Sequence, residues 1–486
     1  MTTYYITNLS PNSSLTVGRK PLPFNKTITM DLTPAQENTV LSLASRNLIK
    51  AVAAPTFNPV DVSDALQYAH QVLATVSAFG SSSTARNQFS NSTSLTSFTS
   101  WGYLSRFVRK CKGAMRINTV SGVYGETLAD QLARWDTFAA TQVPAPSILC
   151  LQVAGNEVTT ANDLQTVVFP GISALVDKAL ALGSIVVLMP PQPDTTITSD
   201  QRLRLAAIRS FMQRLALSNA FVRFADRTAY LTDPNSLTLG FPSAWTTDGK
   251  HTSVQGAEID AQCLYDAVKN DIANLVYRPA CPGLGYDPDL NPYGNLFVNP
   301  FLATGTGGVA QIAGVTNAAL LSSGTVPQGM TLNKTSGSAT GTVAISSVAR
   351  TDGGPGYWRR FAFTMAANDG YSLIMRPSVT TLTTQKIFGM AETQVDRSLT
   401  SGNLTKLVFR VRRGDTTMTA YDGWPDGASN AENAEPVLPS TPEFYRTTPG
   451  NFTNFGNGSV VFELGFGGTG TFVLDIASVH LGISPY

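Results

Sequence analysis

Charge is scarce in this chain. Asp, Glu, Lys and Arg make up 14% of its 486 residues, against about 25% in average soluble proteins. The 34 basic and 33 acidic side chains leave a formal net charge of +1. That balance argues against a broad electrostatic grip on nucleic acid or an anionic membrane, which needs clustered Lys and Arg. Histidine occurs only as His70, His251 and His480, which argues against a multi-histidine metal centre. Four scattered cysteines, Cys111, Cys150, Cys263 and Cys281, make neither a disulfide scaffold nor a CxxC metal site. Cys150 sits in the apolar run Ile148 to Val153 and reads as a buried thiol; Cys263 and Cys281 can pair or stay free. No apolar run reaches the roughly 18 residues of a membrane span. Met1 to Ser10 lack a basic stretch followed by an apolar one, so a chain made without a secretion signal is expected.

What is present is an ordinary 43% of apolar residues, with Ser, Thr, Asn and Gly in place of the missing charge. Such a surface relies on neutral hydrogen bonding and suits turn-rich β structure. The length corresponds to roughly three domains. Disorder throughout is excluded.

Residues 1–60 read as a small opening unit. Tyr4 to Thr7 and Leu15 to Val17 predict short strands. Thr33-Pro34-Ala35-Gln36 then predicts a capped helix start. From 61 to 280 short apolar runs alternate with amphipathic stretches. Val72–Phe79, Ile117–Val120, Ile148–Val153, Ile185–Met189 and Phe221–Phe224 read as buried parallel strands. Tyr103–Lys110, Leu128–Ala140, Ala161–Leu182, Asp200–Leu217 and Ala257–Ile272 read as helices. This is the pattern of a doubly wound α/β domain with a five-stranded parallel sheet. A Pro/Gly-rich linker at 281–294 follows, and period-two runs from 295 to 486 predict an all-β sandwich or jelly roll. Leu407, Phe409 and Val411 alternate there with Arg410 and Arg412, and glycine-rich stretches such as Gly465–Gly470 are expected to separate strands.

In open α/β sheets ligands bind beyond the carboxyl ends of the strands. After the first strand comes Gly80-Ser81-Ser82-Ser83-Thr84, which can present a hydroxyl nucleophile or merely make a tight turn. After the second comes Ser121 to Thr127 with Gly122 and Gly125, and after the third Ala154-Gly155-Asn156-Glu157. The polar stretch Ala85–Ser100 either rims the cleft or is a tolerated insertion. Beyond the fifth strand lies Asp248-Gly249-Lys250-His251. An acid three residues before a histidine can accept from one ring nitrogen while the other faces a nucleophile; a capping Asp beside a surface His gives the same spelling. His70 precedes the first strand and His480 lies in the last β segment, so a histidine base in this domain would be His251.

These four strand ends, in order, resemble the blocks of the SGNH (GDSL-like) hydrolases over about residues 70 to 275. The resemblance implies a flavodoxin-like SGNH fold, a serine esterase activity and no cofactor or metal. It implies Ser82 as nucleophile, Asp248 as orienting acid and His251 as base. It further implies an oxyanion hole from the backbone N–H groups of Ser82 and Gly125 with the Asn156 amide. Two positions depart from the family pattern: Ser81 stands where the first block has an acid, and Glu157 where the third has Asp.

The C-terminal part resembles the jelly-roll, carbohydrate-binding-like modules of bacteriophage tail fibres and tailspikes, through Leu296 to Pro300, Thr351-Asp352-Gly353 and Tyr357-Trp358. What this implies is a virion protein acting at the host cell surface. It would be a homotrimer, anchored to other tail proteins through residues 1–60, that removes O-acetyl groups from a bacterial surface polysaccharide (capsule or O-antigen). Neither nucleic acid nor membrane insertion is expected. Tyr357, Trp358, Tyr421 and Trp424 can stack on sugar rings or simply pack the sandwich. The rival readings are an inactive glycan-binding adhesin on the same fold and a free-standing bacterial carbohydrate esterase.

Overall fold

A computed structural model describes residues 2–8, 15–17, 20–22, 27–32, 49–53, 74–89, 97–99, 101–272 (without 112, 114, 144, 237 and 239), 295–377 (without 298, 304–306, 338–339, 353–355 and 367), 385–395, 401–413, 419–424, 443–447, 450–452 and 458–483. The chain divides into two compact units, Met1–Val72 with Ala181–Gly183 and Leu73–Leu180 with Ser184–Tyr486. In the first, Thr2–Asn8 pairs antiparallel with both Thr27–Leu32 and Ile49–Ala53, and Leu15–Val17 pairs with Lys20–Leu22. Both strands expected there are present. The expected helix after Thr33 and the linker 281–294 lie outside the described residues.

The second unit begins with a five-stranded parallel sheet: β1 (Ala74–Gly80), β2 (Met115–Gly122), β3 (Ile148–Gln152), β4 (Ile185–Met189) and β5 (Val222–Phe224). The spatial order is β5-β4-β3-β1-β2, every neighbouring pair parallel. Their apolar runs fit this position, because a sheet covered on both faces has no solvent side: all five residues of β3 are buried. The connecting helices are α1 (Ser82–Ala85), α2 (Tyr103–Lys110), α3 (Leu128–Ala140), α4 (Phe169–Leu180), α5 (Ser199–Ser218), α6 (Arg227–Leu231) and α7 (Val254–Ile272). Thr127 and Thr198 start α3 and α5 with reciprocal capping boxes. The strand order reverses between β1 and β3, which opens a crevice at their carboxyl ends.

The C-terminal part is a large mixed β-sheet built on one long strand, Ser459–Ile483. Val460 to Gly465 pair with Gly370–Met375 and Ser401–Arg412, while Gly470 to Ile483 pair with Tyr357–Met365 and Gln385–Val395. The Gly465–Gly470 stretch therefore does not separate two strands; it carries one strand through a change of neighbours, with register shifts opposite it. Glycine is common where a strand's pairing is irregular in this way. Leu407, Phe409 and Val411 face the core as expected.

The two parts of this unit share a sheet. The short strands Gln88–Phe89 and Ser97–Thr99, which follow α1, extend the β domain through parallel pairing of Phe98 with Asp422 and Thr99 with Trp424. The described ends of the Ala85–Ser100 stretch thus bond to each other and to the β domain.

Candidate active site

Ser82 is the first residue of α1, directly beyond β1. The first N–H groups of a helix have no partner within it, so the Ser82 N–H points free of the helix's own bonding. Its hydroxyl Oγ lies 2.9 Å from His251 Nε2. His251 Nδ1 is 2.7 Å from Asp248 Oδ2. Asp248 Oδ1 also accepts the backbone N–H groups of Lys250 (2.9 Å) and His251 (2.7 Å). One carboxylate thus shapes the turn and holds the ring. Accepting the Nδ1 proton leaves Nε2 as the acceptor that faces Ser82. Partial burial works against the Asp248 charge, but the hydrogen bonds from the His251 ring and from these backbone groups outweigh it. They hold the carboxyl below its ordinary range.

Asn156, just after β3, lines the same cleft. One of its amide hydrogens is committed to the Glu126 carbonyl at 2.7 Å, which fixes the amide plane and leaves the second hydrogen for a ligand. Nothing lies within 4 Å of where a Cβ on Gly125 would be. What requires glycine there is φ of +76°. The close approach belongs to Gly122, whose Cβ would fall 2.1 Å from the Ala85 nitrogen of α1. Trp358 is only 3% exposed, with the Arg350 guanidinium 4.3 Å from its ring centre, whereas Tyr357, its neighbour on the strand, is 63% exposed. Strand alternation turns one ring in and the other out, so of this pair the open aromatic face is that of Tyr357. The Trp424 side chain lies outside the described residues.

The two departures from the family blocks have local partners. Ser81 donates its backbone N–H and its hydroxyl to Gln152 Oε1, each at 3.1 Å. Glu157 is buried and accepts the Leu128 N–H at the start of α3 at 2.7 Å, a favourable place for an anion. Burial nevertheless pushes its carboxyl up. Gln152 went unremarked in the sequence, though a single amide ending the run Ile-Leu-Cys-Leu was a usable signal. Arg134 was also missed: it binds Glu126 through Nε (2.6 Å) and Nη2 (2.5 Å), and reaches the Gly80 carbonyl at 3.2 Å.

The cleft is open to solvent, with about 390 Å³ of space over these residues, solvent included. Its polar lining is mostly neutral, with Ser81, Ser83, Gln152, Asn156 and Gln192 around Ser82 and His251. Lys250 and Asp194 add one charge of each sign. Cys111, Cys150 and Cys263 are buried free thiols away from that lining.

No family model matches this chain, and no curated protein is similar to it in sequence. Solved structures similar to it include GDSL-type lipolytic hydrolases and carbohydrate esterases. A family 3 carbohydrate esterase from Clostridium thermocellum is 16% identical with a TM-score of 0.32, over 42% of this chain and 99% of that one. An acetyl xylan esterase from Geobacillus stearothermophilus is 17% identical with a TM-score of 0.31, over 43% and 97%. A GDSL-like lipase from Bacteroides thetaiotaomicron is 15% identical with a TM-score of 0.31, over 43% and 96%.

Proposed function

We propose that this protein is a serine esterase that removes O-acetyl groups from a bacterial surface polysaccharide. The observation that carries the reading is the continuous hydrogen-bond chain from Ser82 Oγ through the His251 ring to Asp248. A serine hydroxyl is a weak nucleophile until a base takes its proton. His251 Nε2 takes that proton as Oγ attacks the acetyl carbonyl. The negative charge that develops on the carbonyl oxygen is met by the Ser82 N–H and the free Asn156 amide hydrogen. His251 then returns the proton to the departing sugar oxygen, leaving acetyl on Ser82. Water, deprotonated by His251, releases acetate and restores the hydroxyl.

Around Ser82 the amides of Asn156 and Gln192 and the hydroxyl of Ser83 offer hydrogen-bond partners to a sugar, alongside the apolar Val158, Pro191, Pro193 and Leu205. We also place the protein in a phage tail fibre or spike, as a homotrimer anchored by its N-terminal unit. What supports that setting is the resemblance of the C-terminal sequence and the separate compactness of Met1–Val72. Acetate release from a panel of O-acetylated bacterial polysaccharides, parent against Ser82→Ala, tests the reading. Release by the parent alone supports it; release by both proteins assigns the wrong serine. Glycan binding without any release makes the protein an adhesin.

A further inference from the structure

The loop that carries Asp248 and His251 has little burial of its own, the Asp248 side chain being 50% exposed. It is braced from its inner side by the segment after β4. The Thr195 N–H and Oγ1 donate to the Gly249 carbonyl at 2.9 and 3.2 Å. Gln192 Nε2 donates to the Lys250 carbonyl, the peptide joined directly to His251. Gln192 itself lines the cleft beside Ser82 and His251.

Gln192 is held in turn from below. Its Oε1 accepts from Arg227 Nη2 at 2.8 Å, and the same guanidinium nitrogen is ion-paired with Asp260. Both charged side chains are fully buried. A glutamine amide can sit either way round, but a guanidinium only donates. Arg227 therefore fixes Oε1 inward and Nε2 outward, onto the Lys250 carbonyl. As a stabilising device the ion pair is poor: Arg227 Nε and Nη1 and Asp260 Oδ1 are buried without a hydrogen-bond partner among the described residues, and buried pairs gain little over apolar packing. Orientation of the amide is what the pair does supply.

We propose that Gln192, oriented by the buried Arg227–Asp260 pair, is a positioning residue that holds the Lys250–His251 peptide so that the imidazole meets Ser82. This rests on the esterase reading. The test compares Gln192→Glu and Gln192→Met in the full chain, with p-nitrophenyl acetate as substrate and the downfield proton NMR signal of the His251 Nδ1–H as a readout independent of turnover. Gln192→Glu keeps an acceptor for Arg227 but has no N–H for Lys250, and it is compared with the parent below its own melting temperature, where circular dichroism shows it folded. Its kcat is expected to fall about ten-fold or more, since small misplacements of a catalytic group are costly, with KM within about two-fold. Gln192→Met is expected to do the same, and in both variants the downfield signal shifts or broadens. Parental kcat and an unchanged signal in folded Gln192→Glu would overturn the proposal. A loss in Gln192→Met alone would also overturn it, making Gln192 a packing residue. If the parent hydrolyses no ester, the esterase reading fails while the NMR comparison still decides the positioning role.

Discussion

Arg109 and Asp422 are 313 positions apart in sequence and form a buried ion pair, Nη2 to Oδ1 at 2.6 Å, with both side chains 2% exposed. Arg109 ends its reach over the ring of Tyr445, 4.1 Å from the centroid. The pair joins α2 of the parallel-sheet domain to the β domain beside the shared strands. Removing one partner of such a pair leaves a buried charge, so Asp422→Ala is expected to destabilise this unit by about 3–5 kcal/mol. Equilibrium denaturation checks it: the parallel-sheet and β parts should unfold in one transition, shifted to lower denaturant. Two separate transitions, with the first domain's unchanged, would show that the parts do not depend on each other.

Asp248→Asn should keep the turn but lose the anion that steadies the imidazolium. The expected fall in kcat is about 10³–10⁴-fold, the scale seen when a triad acid is made neutral. Because the Asp248 carboxyl is held below its ordinary range, its hydrogen bonds contribute stability above the unfolded carboxyl pKa of about 3.9. That contribution is lost as pH falls through the lower folded value. From about pH 5 upwards Asp248 therefore stays ionised.

Asn156→Ala removes the one side-chain donor of the proposed oxyanion hole. A drop of about 10²–10³ in kcat with a small change in KM is expected. Gly125→Ala separates two roles for that glycine: its φ of +76° makes any side chain strained, so a loss of stability is expected. A loss of kcat at unchanged stability would instead return Gly125 to the oxyanion hole.

Glu157→Gln bears on the departure in the third block. The carboxyl is raised by burial, and Oε2 has no partner among the described residues. A raised carboxyl contributes stability that is present below its unfolded pKa and lost as pH rises through the folded one. The amide still accepts from Leu128 without carrying that charge. Thermal melts should therefore show the variant gaining on the parent as pH rises above the unfolded carboxyl pKa of about 4.3; a parent that gains on the variant instead would contradict the raised carboxyl.

Much of this was legible in the chain because it is local. Buried parallel strands must be apolar on both faces, so runs such as Ile185–Met189 mark themselves, and Asp248-x-x-His251 spells a turn in which one carboxylate meets its own histidine. Less local features were not. The third helical stretch is expected from Ala161, but Asp163 caps the chain by accepting the N–H groups of Gln165 and Thr166, and helix begins after it. Gly465–Gly470 reads as a turn because glycine marks turns and strand bends alike. Whether Tyr357 or Trp358 faces solvent depends on register against neighbouring strands, which adjacent aromatics do not encode. The Arg109–Asp422 pair and the Gln192–Arg227–Asp260 chain join distant segments and leave no pattern at any fixed spacing.

The most direct test of the central claim is to treat the protein with a fluorophosphonate, which phosphonylates an activated serine, and to locate the added mass by peptide mass spectrometry. The expected result is a single adduct on the peptide containing Ser82, absent from His251→Ala. An unlabelled protein, or an adduct on another serine with Ser82 unmodified, would contradict the assignment of Ser82 as nucleophile.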